Sequence, residues 1–505
     1  MGYESFVERI LARGITHPDE ILIRDSDAEL TALDLRRLVV RLADALDSTV
    51  LHRGDRVAIV PSLRAEALAV RYAAALLGCS SVFCPNTGAP GRLARFVTRA
   101  HVTAVVVFPQ TAAAADEIAL AADAPTMLSV GEVPGALDLN SIDSGTLPAF
   151  VPHRADPEAL AILVASGGTT GESKLSRRSF AAWERVVDVG STRDRRLLVC
   201  TSFAYVAQVL ADQVLLGGGT LVLRDRFEPR EVLRTIAGER ITHLALVEPL
   251  LVELVDHPEF GRHDLSSLVA LSHIGADAAP SLRRRLLRRA GEILAHPYGA
   301  SEAGIITMLS PPDYSLRQPH RLATAGAPLP GVDLRIEGVD GTEAARGEEG
   351  LIAVRSDQVA EGYDREVQVG GFMGDRYRTG DVGLMDSDGF LRVRGRAADQ
   401  RVVERRLVMP VDVQDALCGH PDVRYAVAIP VEHGGFDAVV VLAPDADADL
   451  GEVTAYVVDR HGEHLVPHGI VAVDRIPVTE QGKPDRPRIA TLLRERVAVD
   501  PASSC

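Results

Sequence analysis

Paired cysteines are missing from this chain. Its five, Cys79, Cys84, Cys200, Cys418 and Cys505, are scattered without a Cys-x-x-Cys spacing. That pattern excludes a disulfide framework or a zinc-cysteine cluster and fits a reducing compartment. Net positive charge is missing as well. With 54 Lys and Arg against 70 Asp and Glu, the formal charge is −16, and such a surface repels the phosphates that a sequence-independent nucleic-acid binder must neutralise. The one basic run, "LRRRLLRRA" at 282–290, leaves Leu282, Leu286 and Leu287 on one side at helical spacing, so it reads as an amphipathic helix with solvated arginines. No stretch reaches the ~18 uninterrupted apolar residues of a membrane span. The N-terminus carries Glu4 and Glu8 where a signal peptide is apolar. A cytoplasmic protein with no nucleic-acid partner and no membrane span is expected. His461, His464 and His468 lie close together but have no carboxylate or cysteine partner at metal spacing, and read as surface histidines.

What is present is a long alternation of strand and helix. A chain of 505 residues with 46% hydrophobic content is expected to form two or three domains. "LTALDLRRLVVRLADAL" and "EALAVRYAAALLG" have helical periodicity, the second closed by Gly78; "RVAIVPS" and "AVVVF" read as buried strands. Such alternation predicts α/β architecture with parallel sheets covered on both faces. The rhythm resumes at "RRLLVCTSF", "TLVLRD" and "HLALVEPL". From Gly326 it gives way to short strands punctuated by Gly, Pro and Asp, which read as antiparallel. After Arg396 a small α+β unit runs to about Arg496.

One loop stands out. "SGGTTGESKL" at 166–175 fails as a nucleotide P-loop, because Glu172 and Ser173 separate Gly171 from Lys174 and Leu175 stands where the magnesium-holding hydroxyl belongs. Hydroxyls at Ser166, Thr169 and Thr170 and the free amides of a glycine-rich turn suit a triphosphate, although a plain Gly/Ser connector has the same composition. Four more turn-like segments follow in order: "YGASE" (298–302), "YRTGD" (377–381), "GRAAD" (395–399) and "PVTEQGKPDR" (477–486). They supply an aromatic face and a carboxylate, a second carboxylate, an arginine, and a lysine after glycine.

These five segments, in this order and at these separations, resemble the adenylate-forming superfamily of acyl-CoA synthetases, aryl-acid ligases and adenylation domains. The likeness covers essentially the whole chain. It implies a large N-terminal AMP-binding domain, 1–396, of two α/β subdomains and a small distorted β-barrel, followed by a mobile C-terminal α+β domain, 397–505. It implies ATP and Mg2+ as cofactors and a small-molecule acid as substrate. Thr169, Thr170, Gly171 and Lys174 would hold phosphate, and Gly275 and Ala276 would lie by the nucleotide. Tyr298 would stack on adenine, Ser301 would approach the phosphates, and Asp381 would accept the ribose hydroxyls beside Arg396. Glu302, with Thr170, would bind Mg2+. Tyr205 and Gly299 would line the acid pocket, and Asp399 would be the hinge. Lys483 would meet the negative charge that builds when a carboxylate attacks the α-phosphate, a stabilisation of roughly 3 to 4 kcal/mol.

Two departures bear on the substrates. The double glycine before the threonines is closer to the aryl-acid ligases and tilts the acid towards an aromatic or small cyclic one. Tyr205, however, stands where those ligases usually have histidine, and no asparagine follows it. Beyond the hinge, Glu404, Arg405 and Arg406 fill positions where thioester-forming relatives have glycine; arginine there adds bulk and a conformational cost of ~1 to 2 kcal/mol. The acceptor of the activated acid therefore stays open between a thiol of coenzyme A or a carrier protein, an amine as in amide synthetases, and activated nitrite meeting an aryl amine as in ATP-dependent diazotases. A nucleotide binder without turnover would have no need of the closing lysine.

Overall fold

The protein is described from a computed structural model over residues 3–85, 91–121, 124–142, 156–165, 174–188, 192–275, 279–338, 340–364, 371–444, 446, 449–479 and 481–497. Two large sheets carry the N-terminal domain. The first has seven strands, in the order Leu137–Asp138, Thr126–Ser129, Ala104–Val107, Arg56–Ile59, Ser80–Phe83, Leu160–Ala165 and Leu175–Ser179, all parallel except the last pair. Ala104–Val107 and Ser80–Phe83 are buried at every residue, as a parallel sheet covered on both faces requires.

The second sheet has nine strands. Its parallel run takes Ile21–Arg24, Thr220–Leu223, Arg196–Val199, His243–Val247, Ala270–Ile274 and Leu294–Ala300, and antiparallel strands close both edges. A third, antiparallel sheet of five strands follows, ending with Leu391–Arg396 paired to Arg376–Met385. The small C-terminal domain has a hairpin, Arg401–Val403 with Arg406–Val408, a three-stranded sheet, and helices Pro410–Cys418, Leu450–His461 and Arg486–Val497. The α/β architecture, with a large domain before a small one, is the one expected.

The small domain is docked on the large one. Asp415 accepts from the backbone N–H of Ser281 at 2.7 Å, at the N-terminus of helix Pro280–Ala290, where a carboxylate is favoured by the exposed N–H groups. Arg475 reaches Glu253 at 2.5 Å, and Arg394, on the last strand of the third sheet, holds Asp412 through two bonds of 2.7 and 2.9 Å.

Helix Pro280–Ala290 corrects one detail of the basic run. Leu282, Leu286 and Leu287 are buried as expected, but Arg283 is buried with them at 4% exposure, donating to the carbonyls of Leu322 and Thr324 at 3.2 and 2.5 Å. The four described cysteines are buried. Burial pushes the thiols of Cys79, Cys200 and Cys418 up to about 12, which leaves them protonated and unreactive at neutral pH. Among the described residues no helix is long and apolar enough to cross a membrane.

Candidate active site

Three distant pieces of chain are laced together at the end of the first sheet. Strand Leu175–Ser179 takes Glu361–Asp364 alongside: Arg177 N–H donates to Gly362 O at 2.9 Å, Glu361 N–H to Arg177 O at 3.0 Å, and Asp364 N–H to Leu175 O at 2.8 Å. Arg178, 1% exposed, donates to the carbonyls of Ser301 at 2.9 Å and Gln358 at 2.5 Å. Ala360 N–H closes the triangle on Glu302 O at 2.7 Å. The stretch after the glycine-rich loop, the Ser301-Glu302 turn and the 358–364 segment are therefore fixed relative to one another by backbone bonds and one buried guanidinium.

Side chains meet inside this frame. The Glu302 side chain is buried, and its Oε1 accepts from the Tyr363 hydroxyl at 2.8 Å. The hydroxyls of Tyr363 and Tyr377 are 3.3 Å apart. The Lys174 ammonium lies 4.9 Å from the centroid of the Tyr363 ring, within cation–π range. Phe372 packs edge-on against that ring at 5.2 Å and 78°. Burial, then the charge of Glu302, pushes both phenols well above the ordinary tyrosine value, so both remain neutral donors.

A second cluster lies on the third sheet. Pairing places Asp381 opposite Arg396, and Arg396 Nε is 3.0 Å from Asp381 Oδ1 while its Nη1 donates to Thr379 O at 2.7 Å. Tyr298 donates to Asp381 Oδ2 at 2.6 Å. Both oxygens of this buried carboxylate are thus oriented.

Lys483 comes to these groups from the small domain. It sits in a tight turn in which Thr479 N–H donates to Lys483 O at 2.7 Å and Gly482 N–H to Thr479 O at 2.8 Å. Gly482 has φ +78°, and a Cβ there would fall 2.4 Å from Val247 Cγ2, so glycine lets the turn press against the large domain. The lysine side chain then crosses Gly275, where an added Cβ would lie 2.7 Å from Lys483 Cε. Burial and the charge of Arg396 hold its ammonium below the ordinary lysine value, opposed by Asp381 and Glu302. The structure thus gathers Lys174, Tyr298, Glu302, Asp381, Arg396, Gly275 and Lys483 at one cleft, the last from a different domain.

Of the other candidates, Thr169, Thr170, Gly171 and Ala276 lie outside the described residues; the strands flanking the first three pair with Ala165 opposite Leu175. Gly299 lies near the end of strand Leu294–Ala300 and Ser301 opens the turn that follows; a Cβ on Gly299 would meet Gly304 O at 2.2 Å. Tyr205 interrupts a π-helical turn, Phe203–Ala207, with φ −128° and ψ −139°. Asp399 lies in the single turn Ala397–Asp399 after the third sheet, held by Arg486 at 2.5 Å. Glu404 and Arg405 form the tip of the hairpin with φ of 48° and 67°. Arg406, read as a third glycine position, is instead extended in strand Arg406–Val408 and contacts His464 at 3.1 Å. Sequence reasoning missed Arg178, Tyr363 and Tyr377; the tyrosine opening "YRTGD" was the one available signal.

Among the described residues no group of three His, Cys, Asp or Glu side chains could hold a metal ion. A single hard carboxylate such as Glu302 suits Mg2+, which keeps most of its waters and takes substrate phosphates as ligands.

A model of the AMP-binding enzyme family matches residues 12–364, and one of the AMP-binding enzyme C-terminal domain matches 412–483. The chain is 29% identical to a medium/long-chain-fatty-acid–CoA ligase of Mycobacterium tuberculosis, covering 93% of this chain and 87% of that protein. It superimposes on the amide bond synthetase McbA from Marinactinospora thermotolerans with a TM-score of 0.85 and 33% identity, over 96% of this chain and 99% of that one. The anthranilate CoA ligase AuaEII, solved with anthranoyl-AMP, shares the fold with a TM-score of 0.89 at 20% identity, over 98% of each chain.

Proposed function

The chain belongs to the AMP-binding family of ATP-dependent, AMP-forming ligases that activate carboxylic acids, and within it we propose that this enzyme joins an aromatic acid to an amine. The carboxylate attacks the α-phosphorus of ATP, and the bond to pyrophosphate breaks. The amine nitrogen then attacks the acyl carbon, the bond to AMP breaks, and the amine proton passes to solvent.

The observation that carries the adenylation step is Lys483 lying across Gly275 within the field of Asp381, Glu302 and Arg396. A cation delivered by the small domain to a cleft lined by a ribose-type carboxylate and a metal-type carboxylate is placed to stabilise charge on the α-phosphate. In this reading Tyr298 faces adenine, Asp381 and Arg396 take the ribose, and Glu302 with Thr170 holds Mg2+. Thr169, Thr170, Gly171, Lys174 and Ser301 take the phosphates, with Gly275 and Ala276 beside them; Tyr205 and Gly299 line the acid pocket. Asp399 is the hinge between domains 1–396 and 397–505.

The choice of an amine rests on the hairpin tip. Glu404 and Arg405 hold left-handed conformations where thioester-forming relatives carry glycine, and two long side chains there obstruct a pantetheine arm. The 33% identity to an amide bond synthetase over nearly the whole chain supports the same acceptor. The test is a panel of aryl acids with ATP and Mg2+, each offered coenzyme A or a primary amine, with products identified by mass. Amide and AMP without thioester is the expected outcome; thioester formation at comparable rate would replace the amine by a thiol.

A further inference from the structure

The geometry points to Tyr363 as a positioning residue that uses its hydroxyl and its ring face at once, presenting the metal-binding carboxylate of Glu302 and the phosphate-binding ammonium of Lys174 to the triphosphate at a fixed separation. This rests on the assignment of Glu302 to Mg2+ made above.

The two contacts come from opposite ends of one chemistry. The hydroxyl donates to Glu302 Oε1 at 2.8 Å, which leaves the other carboxylate oxygen for a cation and fixes the plane in which it is offered. The ring face takes the Lys174 ammonium at 4.9 Å. Lys174 directly precedes strand Leu175–Ser179. Tyr363 itself has little freedom. Its backbone bridges to Ser176, Phe372 abuts its ring, and Tyr377 stands 3.3 Å from its hydroxyl. A side chain so confined transmits the position of one partner to the other. A leucine in its place would fill space yet make neither polar contact.

The test separates the two uses. ATP affinity is measured by titration calorimetry with and without Mg2+, alongside acid-dependent pyrophosphate release. Tyr363→Phe keeps the ring and loses the hydroxyl. It is expected to raise the Mg2+ concentration for half-maximal ATP binding about tenfold, the scale of a lost bond to a charged group, with metal-free ATP affinity unchanged. Tyr363→Leu is expected to show that shift and also to lose about 2- to 5-fold in metal-free ATP affinity, matching Lys174→Met. Thermal melts of each variant confirm folding. A Phe variant with an unmoved Mg2+ midpoint, or a Leu variant no different from Phe without metal, would overturn the inference. Glu302→Gln tests the underlying assignment separately: if it leaves the Mg2+ midpoint unmoved, Glu302 is not the metal carboxylate, whatever Tyr363 does.

Discussion

The phenol of Tyr298 donates to Oδ2 of Asp381 at 2.6 Å while Arg396 Nε lies 3.0 Å from Oδ1, so the carboxylate expected to take ribose is oriented before any nucleotide arrives. Each oxygen has a second lone pair to offer. Tyr298→Phe keeps the aromatic face and removes the orienting donor. The Michaelis constant for ATP should rise about 5-fold, as for one hydrogen bond, with turnover little changed. Tyr298→Ala should cost at least about tenfold more, through loss of the ring face. Steady-state kinetics with ATP varied decides it; an unaltered constant in the Phe variant would show that the bond does not orient Asp381 for binding.

Gly275 leaves room for the lysine. Its φ of +81° and the 2.7 Å between an added Cβ and Lys483 Cε make alanine doubly unwelcome: backbone strain of about 1 kcal/mol and a displaced ammonium. Gly275→Ala should lower acid-dependent pyrophosphate release about a hundredfold, as Lys483→Ala should. ATP binding should largely survive in Lys483→Ala, which leaves Tyr298 and Asp381 untouched. Pyrophosphate release at full rate in the Gly275→Ala variant would mean that Lys483 reaches the phosphate by another path.

Protonation of Lys483 sets an alkaline limit. Burial first, then Arg396, lowers its value, and the ammonium is the active form, so activity is lost as pH rises through a value below that of a free lysine. Bound triphosphate draws the value back up. The limb of kcat/KM, which reports the free enzyme, is therefore expected at lower pH than the limb of kcat. Domain docking has the opposite sign. A lysine whose value is depressed on docking favours the neutral form, so without ligand the small domain should dock more firmly as pH rises through that value. Lys483→Arg, which keeps its charge at every accessible pH, should abolish the limb. Coincident profiles for wild type and the Arg variant would assign the limb to another group.

Much of this site is legible in the sequence because its parts are local. Tyr298, Glu302, Asp381, Arg396 and Lys483 each belong to a short segment whose spacing survives as a pattern, although Tyr298, Asp381 and Arg396 sit in strands rather than in the turns expected, and the helices and parallel strands that place them follow from periodicity. Tyr363 was not legible. It reaches Glu302 across 61 residues, and nothing in "EGYDRE" distinguishes a tyrosine that orients a carboxylate from one that fills a core. Arg283 misled for a related reason. On a helix crowded with arginines, periodicity marks which face is apolar, but not that two carbonyls, those of Leu322 and Thr324, wait on that face to accept a guanidinium. Contacts made by irregular chain leave no period to read.

The tip of the hairpin in the small domain offers a test in which stability and chemistry move together. Glu404 and Arg405 occupy left-handed conformations, with φ of 48° and 67°, between strands Arg401–Val403 and Arg406–Val408. A two-residue hairpin of this kind prefers Asn-Gly, and each ordinary side chain held there costs about 1 kcal/mol or more. Replacing the pair by Asn-Gly relieves that strain, less the greater freedom glycine gives the unfolded chain. The domain should gain about 1 kcal/mol, read from denaturant unfolding. Beneath the tip, Val402 and Leu407 face outward as a cross-strand pair, 67% and 60% exposed, so this face of the hairpin is open to solvent in this domain arrangement. If bulk at the tip is what excludes a pantetheine thiol, the same Asn-Gly variant should form thioester with coenzyme A where the parent forms none, while acid-dependent pyrophosphate release stays as it was. A variant that is more stable yet still makes only amide would place the acceptor choice in the pocket around Tyr205 and Gly299 instead.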